Sequence, residues 1–181
     1  MTKWLIWLIG GVLLGGIVHL ATVLWLPRTA TQDAYSRLVP VTPVNAVAAL
    51  PAPSPDKILL PYMDPAFATA VCRYDLSKGP LQLSLNVSQA YTSVSFYTRF
   101  GRAYYAINDR AAGRRVIELD LMTSAQRAAL PDDEEITAAD RLIVESPTLT
   151  GLIVIKALAP EPGLRQMARD ALATGRCRPQ S

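Results

Sequence analysis

Residues 81–98, "LQLSLNVSQAYTSVSFYT", decide the fold class, because here the apolar period drops from 3.6 to 2. "LQLSLNV" (81–87) alternates along its whole length, and "YTSVSFYT" (91–98) sets Val94 and Phe96 against Ser93 and Ser95. Successive strand side chains point to opposite faces, so each run offers one apolar face to a core. Only Ser88, Gln89 and Ala90 separate the two, which predicts neighbouring antiparallel strands.

Downstream, "AYYAIN" (103–108) follows a turn at Phe100-Gly101-Arg102, and "RVIELDL" (115–121) follows "DRAAGR", with Ile117, Leu119 and Leu121 inward and Glu118 and Asp120 outward. These runs predict a four-stranded meander. "TSAQRAAL" (123–130) reads as a short helix, "PDDEEITAAD" (131–140) as an acidic surface loop, "RLIVES" (141–146) as a fifth strand and "TGLIVIKAL" (150–158) as a sixth, more fully buried one. "PGLRQMARDALATG" (162–175) is an amphipathic helix with Leu164, Met167, Ala168, Ala171 and Leu172 on one face and Gly175 as its stop.

Upstream, Asp64-Pro65 has the form of a helix start, and Phe67, Ala70, Val71 and Tyr74 recur at helical spacing, predicting a helix that ends before "DLSKGP". Residues 40–61 hold six prolines and few charges, which fits a linker or a chain lying over the domain. "TQDAYSRL" (31–38) suits a short juxtamembrane helix capped by Thr31.

The chain opens with "WLIWLIGGVLLGGIVHLATVLWL" (4–26), 23 residues without Asp, Glu, Lys or Arg. At about 1.5 Å per residue the run reaches roughly 34 Å, enough to cross a bilayer core. Trp4 and Trp7 mark one end and Trp25 the other, where indoles favour the headgroup layers. A cleaved signal peptide has a shorter apolar core of about 7–15 residues and a small-x-small site, so the run reads as a retained anchor. Positive charge nearly ties across it, Lys3 and the α-amine against Arg28 and Arg37; the very short N-terminal tail favours N-terminus in, domain out. Gly11, Gly15 and His19 share one helix face, suited either to close pairing with another helix or to plain contact with lipid.

The reading is therefore an α+β protein: one N-terminal transmembrane helix (1–28), a juxtamembrane segment and Pro-rich linker (29–61), and a mainly antiparallel β-sheet domain with two or three packed helices (62–181). Net charge is +3, from 18 basic and 15 acidic residues scattered along the chain, which disfavours nucleic acid as a partner and leaves the lipid bilayer as the first one. Cys72 and Cys177, 105 positions apart, are either a disulfide that ties down the "GRCRP" tail in an exported domain or two separate buried thiols. Export favours the disulfide.

His19 is the only histidine, so histidine triads, histidine metal clusters and an imidazole general base are excluded from the domain. No GxSxG elbow, phosphate-binding loop or dinucleotide glycine pattern occurs, and no metal or cofactor is implied. Two polar clusters interrupt the apolar pattern, "CRYDLS" (72–77) and "INDRAAG" (107–113). Arg73, Asp75, Asn108, Asp109 and Arg110, with Tyr97, Tyr104 and Tyr105, are either the lining of a cleft for a polar ligand or an Arg–Asp network that fixes turns.

"MDPAFATAVCRYDLSKGPLQLSLNV" (63–87), "YTSVSFYTRFGRAYYAINDRAAG" (91–113), "VESP" (144–147), "RCRP" (176–179) and "GGIVHLATVLWLPR" (15–28) together resemble the small membrane-anchored branch of a bacterial family, domain of unknown function 1254. The resemblance covers nearly the whole chain. It implies a Gram-negative envelope protein whose larger relatives join this domain to a second β-rich domain, number 1214. By analogy it implies a separately encoded partner carrying that companion domain. The family has no catalytic residues to transfer. The expectation is a single-pass inner-membrane protein, cytoplasmic at its N-terminus, presenting a periplasmic domain that binds a ligand or partner. The alternative is a carboxylate-dependent envelope hydrolase with Asp75 or Asp109 as base and Arg73 or Arg110 holding an anionic group.

Overall fold

The computed structural model describes residues 2–29, 33–54, 59–113, 115–130 and 142–180, the side chains of 27–29 excepted. The acidic loop 131–140 and the expected cap Thr31 lie outside the described residues. The chain forms two compact units, Met1–Asp33 and Ala34–Ser181.

The first unit is α1 (Thr2–Thr29), of which Thr2–Leu26 is long and apolar enough to be a membrane span or a signal sequence. Its one internal hydroxyl at Thr22 bonds to the Val18 carbonyl at 2.8 Å, so no side-chain partner is needed there. A methyl placed on Gly10, Gly11, Gly15 or Gly16 would meet nothing within 4 Å.

The second unit is built on two sheets. The five-stranded sheet runs in the order β1 (Val47–Ala49), β2 (Phe67–Asp75), β8 (Thr150–Leu158), β4 (Thr92–Thr98), β5 (Ala103–Asn108), all antiparallel. The four-stranded sheet runs β7 (Leu142–Ser146), β6 (Val116–Thr123), β3 (Leu81–Asn86), β9 (Arg176–Pro179), with β6 and β7 parallel. Leu81, Leu83, Leu85, Ile117, Leu119 and Leu121 from the smaller sheet share one core with Cys72, Tyr74, Phe96, Ile153 and Ile155 from the larger. The alternation read from the sequence thus selects the faces that meet. Short helices punctuate the strands: α2 (Ala34–Leu38), α3 (Asp109–Ala112) and α4 (Ser124–Ala128). A 3-10 turn (Pro162–Leu164) leads into α5 (Arg165–Ala173), which sends Ala168 and Leu172 into the core. Around α4, Thr123 and Gln126 form a reciprocal capping box, and Gln126 Nε2 also reaches the Leu76 carbonyl at 2.8 Å.

Cys72 on β2 and Cys177 on β9 are disulfide-bonded, joining the two sheets across the core. Closing a loop of this length restricts the unfolded chain by about 4.7 kcal/mol in the entropy model. The bond holds β9, an edge strand of four residues, which has little apolar area of its own.

Several expectations change. Residues 67–75 are strand β2, not a helix. Asp64 does form a turn, its Oδ1 accepting from the Ala66 N–H at 2.9 Å, but the chain leaves it extended. The reason is burial on both faces: Ala70, Cys72 and Tyr74 enter the main core while Val71 enters a second cluster, and a strand apolar on both sides satisfies helical spacing by accident. Runs β3 and β4 are not neighbours, because Ser88–Tyr91 carries the chain from one sheet to the other. The Ser88 N–H donates to Thr92 Oγ1 at 2.8 Å and the Thr92 hydroxyl to Ser88 Oγ at 3.0 Å, closing this connection. Of the expected meander only the β4–β5 hairpin exists; β6 pairs with β3. Asp120, expected outward, is buried at 1 % exposure, and Met167, expected inward, is 42 % exposed.

The Pro-rich segment belongs to the Ala34–Ser181 unit and covers the outer face of the larger sheet. Leu38 and Leu50 bury themselves against Val71 and Leu152, with Tyr35, Leu59, Leu60, Met63, Tyr97 and Val154 around them. Its prolines break helix, but β1 between them still pairs with β2.

Candidate functional site

Arg73 stands on the outer face of β2, 9 % exposed. Its Nε and Nη2 donate to the Thr42 carbonyl at 3.1 and 2.9 Å, and Nε also to Thr42 Oγ1 at 3.0 Å. Its guanidinium lies 5.5 Å from the Tyr35 ring centre, and that of Arg99 4.2 Å from the same ring. Arg73 therefore fastens the segment after α2 to the sheet. Asp75, at the end of the same strand, accepts from the Ser77 N–H at 2.9 Å. Hydrogen bonds from Ser77 hold its carboxyl below the usual carboxylate range. Asn45, with φ of 55°, clamps the Asp75 backbone through both amide atoms, at 2.8 and 3.0 Å.

The second polar cluster is elsewhere. Asn108 caps α3, its Oδ1 accepting from the Ala111 N–H at 2.8 Å; Arg110 is exposed and Asp109 half-buried, with its Oδ1 buried. The register places Asp75 level with Thr150 and the neighbouring Gly151 level with Thr98, while Asn108 lies level with Ser93. Thr98 and Ser93 are five residues apart, about 17 Å along a strand, and β8 and β4 intervene across the sheet. Asp75 and Asp109 are thus at opposite ends and do not share a pocket. Tyr97 faces the outer cluster and Tyr105 the main core, so these two do not converge either. The bulge between Phe96 and Tyr97 turns both Tyr104 and Tyr105 toward Phe96, at 6.1 and 5.8 Å between ring centres.

Of the best-formed polar cluster the sequence reading named Tyr97 and Tyr104 but missed the partners Tyr74, Ser146 and Thr148. The hydroxyl of fully buried Tyr74 donates to the Tyr97 carbonyl at 3.2 Å, lies 3.0 Å from Ser146 Oγ and accepts from Tyr104 at 3.2 Å. Ser146 in turn donates to the Thr148 carbonyl at 2.6 Å. Burial pushes the Tyr104 hydroxyl well above the ordinary phenol range, so it stays protonated and donates. Gly151 makes room for the Tyr74 ring: a Cβ there would sit 2.2 Å from the Tyr97 carbonyl oxygen and 2.3 Å from the Tyr74 hydroxyl. This network fixes one end of the sandwich. "VESPTLTG" (144–151) signals it only as a cluster of small hydroxyls around a glycine.

A groove of about 270 Å³ runs between the Pro-rich segment, the start of β2 and α5. Pro51, Pro53, Met63, Phe67 and Leu172 make it apolar, while Arg165 and Arg169, one helical turn apart, stand on its rim with Gln166 and Asp170. Arg165 Nη2 reaches the Pro65 carbonyl at 3.4 Å, and Gln166 donates to Asp170 Oδ1 at 2.8 Å. Two guanidinium groups beside apolar side chains suit the groove to an apolar group that carries an anion. Among the described residues no group of three or more His, Cys, Asp or Glu is placed to hold a metal.

No family model matches the chain, and no curated protein matches it. The fold does occur in solved structures. The VPA0106 protein of Vibrio parahaemolyticus superposes with a TM-score of 0.58 at 12 % identity, over 82 % of this chain and 34 % of that one. An uncharacterized protein from Burkholderia cenocepacia superposes with a TM-score of 0.47 at 12 % identity, over 75 % of this chain and 34 % of its own. The chain therefore spans about a third of the length of the solved structures it matches, and at this identity the likeness to the Vibrio protein is one of fold.

Proposed function

We propose that this chain is a single-pass protein of a bacterial inner membrane, with its N-terminus in the cytoplasm and its Ala34–Ser181 unit in the periplasm, where that unit binds a ligand or a protein partner. The observation that carries the reading is the pairing of an uncharged 23-residue apolar run with a disulfide between the two sheets of the following unit, since such bonds persist in oxidising compartments. The groove beside α5 is the ligand site in this reading. The partner is a separately encoded protein carrying the companion β-rich domain, in keeping with the resemblance to domain of unknown function 1254. The Gly11, Gly15 and His19 face of α1 is a second place for contact, helix to helix. The Arg73, Asp75, Asp109 and Arg110 geometry gives no support to a hydrolase. The test is a pair of fusions after Ser181: a reporter active only in the periplasm should work and one active only in the cytoplasm should not. The opposite pattern overturns the reading.

A further inference from the structure

Five large apolar side chains of the Ala34–Ser181 unit are exposed at one end of the larger sheet: Val39, Val41, Val44, Phe100 and Leu149, each 47–53 % accessible. Their common position follows from the bonding. Val44 bridges to Arg73 near the end of β2, Leu149 accepts from the Leu76 N–H beside it, and Phe100 lies in the turn after Thr98, which is level with Gly151. Arg99 of that turn donates to Ser36 Oγ at 3.3 Å, which brings α2 and the Val39–Val41 turn to the same rim. Of the other large apolar residues exposed on the described unit, Tyr62, Val116 and Met167 lie apart from this rim. Single exposed apolar residues need no explanation, but a row along one rim does.

The rim is also basic. Lys78 and Arg102 stand exposed on its turns, against Asp75, while the part-buried Arg99 is stacked on Tyr35 behind them. Alternating apolar tips and long basic side chains suit the boundary between phospholipid headgroups and acyl chains, where the tips enter and the basic ends stay among phosphates. The unit's first element, α2, begins at Ala34 and lies on this rim.

We infer that this rim is a membrane-docking surface for anionic phospholipid, with Val41, Phe100 and Leu149 inserted at the headgroup–acyl boundary. The inference rests on the membrane-anchored reading above, and its test separates the two. The described residues contain no free cysteine, so a single introduced cysteine takes a nitroxide label specifically. The full chain in nanodiscs, with and without anionic lipid, is labelled at Val41→Cys, Phe100→Cys or Leu149→Cys. Met167→Cys, at the opposite end beside Ser88 and Leu158, is the water-exposed reference, and Leu13→Cys reports α1. Accessibility to oxygen and to a soluble nickel complex is read by power saturation.

The rim labels should shift toward oxygen and away from nickel relative to Met167→Cys, and more strongly in anionic discs. Rim labels as nickel-accessible as the reference, while Leu13→Cys stays protected, overturn docking and leave the span intact. Nickel access at Leu13→Cys overturns the span itself. Protection of the rim that ignores lipid composition and comes with spin–spin broadening assigns it to a second copy, and also overturns the lipid proposal.

Discussion

Gly151→Ala should be among the most damaging single changes in the unit although it adds one methyl. The new Cβ would lie 2.2 Å from the Tyr97 carbonyl oxygen, 2.3 Å from the Tyr74 hydroxyl and 2.5 Å from Tyr74 Cζ. The first is backbone of β4, in register beside Gly151, and the other two belong to a ring with 0 % exposure, so neither side can yield without moving the core. Overpacking of this kind costs about 1–3 kcal/mol. Displacing the Tyr74 hydroxyl from Ser146, Tyr104 and the Tyr97 carbonyl adds about 1–3 kcal/mol for buried polar groups left unpaired. The expected loss is about 2–6 kcal/mol, or about 6–18 °C in melting temperature at about 3 °C per kcal/mol for a unit of this size. All three tryptophans lie in α1, so the assay is thermal and urea unfolding of the detergent-solubilised chain followed by near-ultraviolet tyrosine dichroism. Gly163→Ala, where a Cβ meets nothing within 4 Å, is the control and should stay within about 0.5 kcal/mol. If Gly151→Ala melts with the control, the packing argument for this end of the sandwich is wrong.

Arg73→Met removes the three hydrogen bonds that hold Thr42 and should cost about 2–3 kcal/mol, with proteolysis between residues 39 and 63 accelerating before the sheets are cut; uniform cleavage would deny the fastening role. For Asp75→Asn the sign follows from the lowered carboxyl pKa: the wild type should gain stability over the variant above the ordinary aspartate pKa of about 3.9, and the gap should close as pH falls through the lower folded value. A gap that persists in strong acid would assign the effect to something other than charge. In α1, Gly15→Leu should weaken self- or partner association in a membrane two-hybrid assay while Gly10→Leu and Gly16→Leu do not, and His19→Leu should act less than Gly15→Leu, because one membrane hydrogen bond averages only about 0.6 kcal/mol. Equal effects at all three glycines would remove the case for a pairing face.

What could be read from the sequence was the orientation of side chains; what could not was which strands pair. Alternation in β3, β4 and β6 identified Leu81, Leu83, Leu85, Val94, Phe96, Ile117, Leu119 and Leu121 as inward, and all are buried. Alternation says nothing of the partner, so a three-residue gap suggested a hairpin where the Ser88–Thr92 hydroxyl pair instead sends the chain to the other sheet. Strand β2 was hidden because its second face is buried by residues as distant as Leu38 and Leu50, and local periodicity carries no information about that cover. β9 has neither length nor period; only Cys177 marked it. The polar cluster failed for a related reason. Arg73 and Asp75 are two apart on one strand and face the same way, but Thr42, in the overlying segment after α2, and Ser77, two residues along the chain, satisfy them first.

The most direct test of an exported, two-sheet unit is the state of its two thiols in the cell. Cells expressing the full chain are quenched in acid, and the denatured protein is treated with a maleimide of high mass, with and without prior reduction. Without reduction no mass should be added, because Cys72 and Cys177 are bonded; after reduction two additions should appear. Two additions without reduction would contradict both the oxidising location and the cross-core bond.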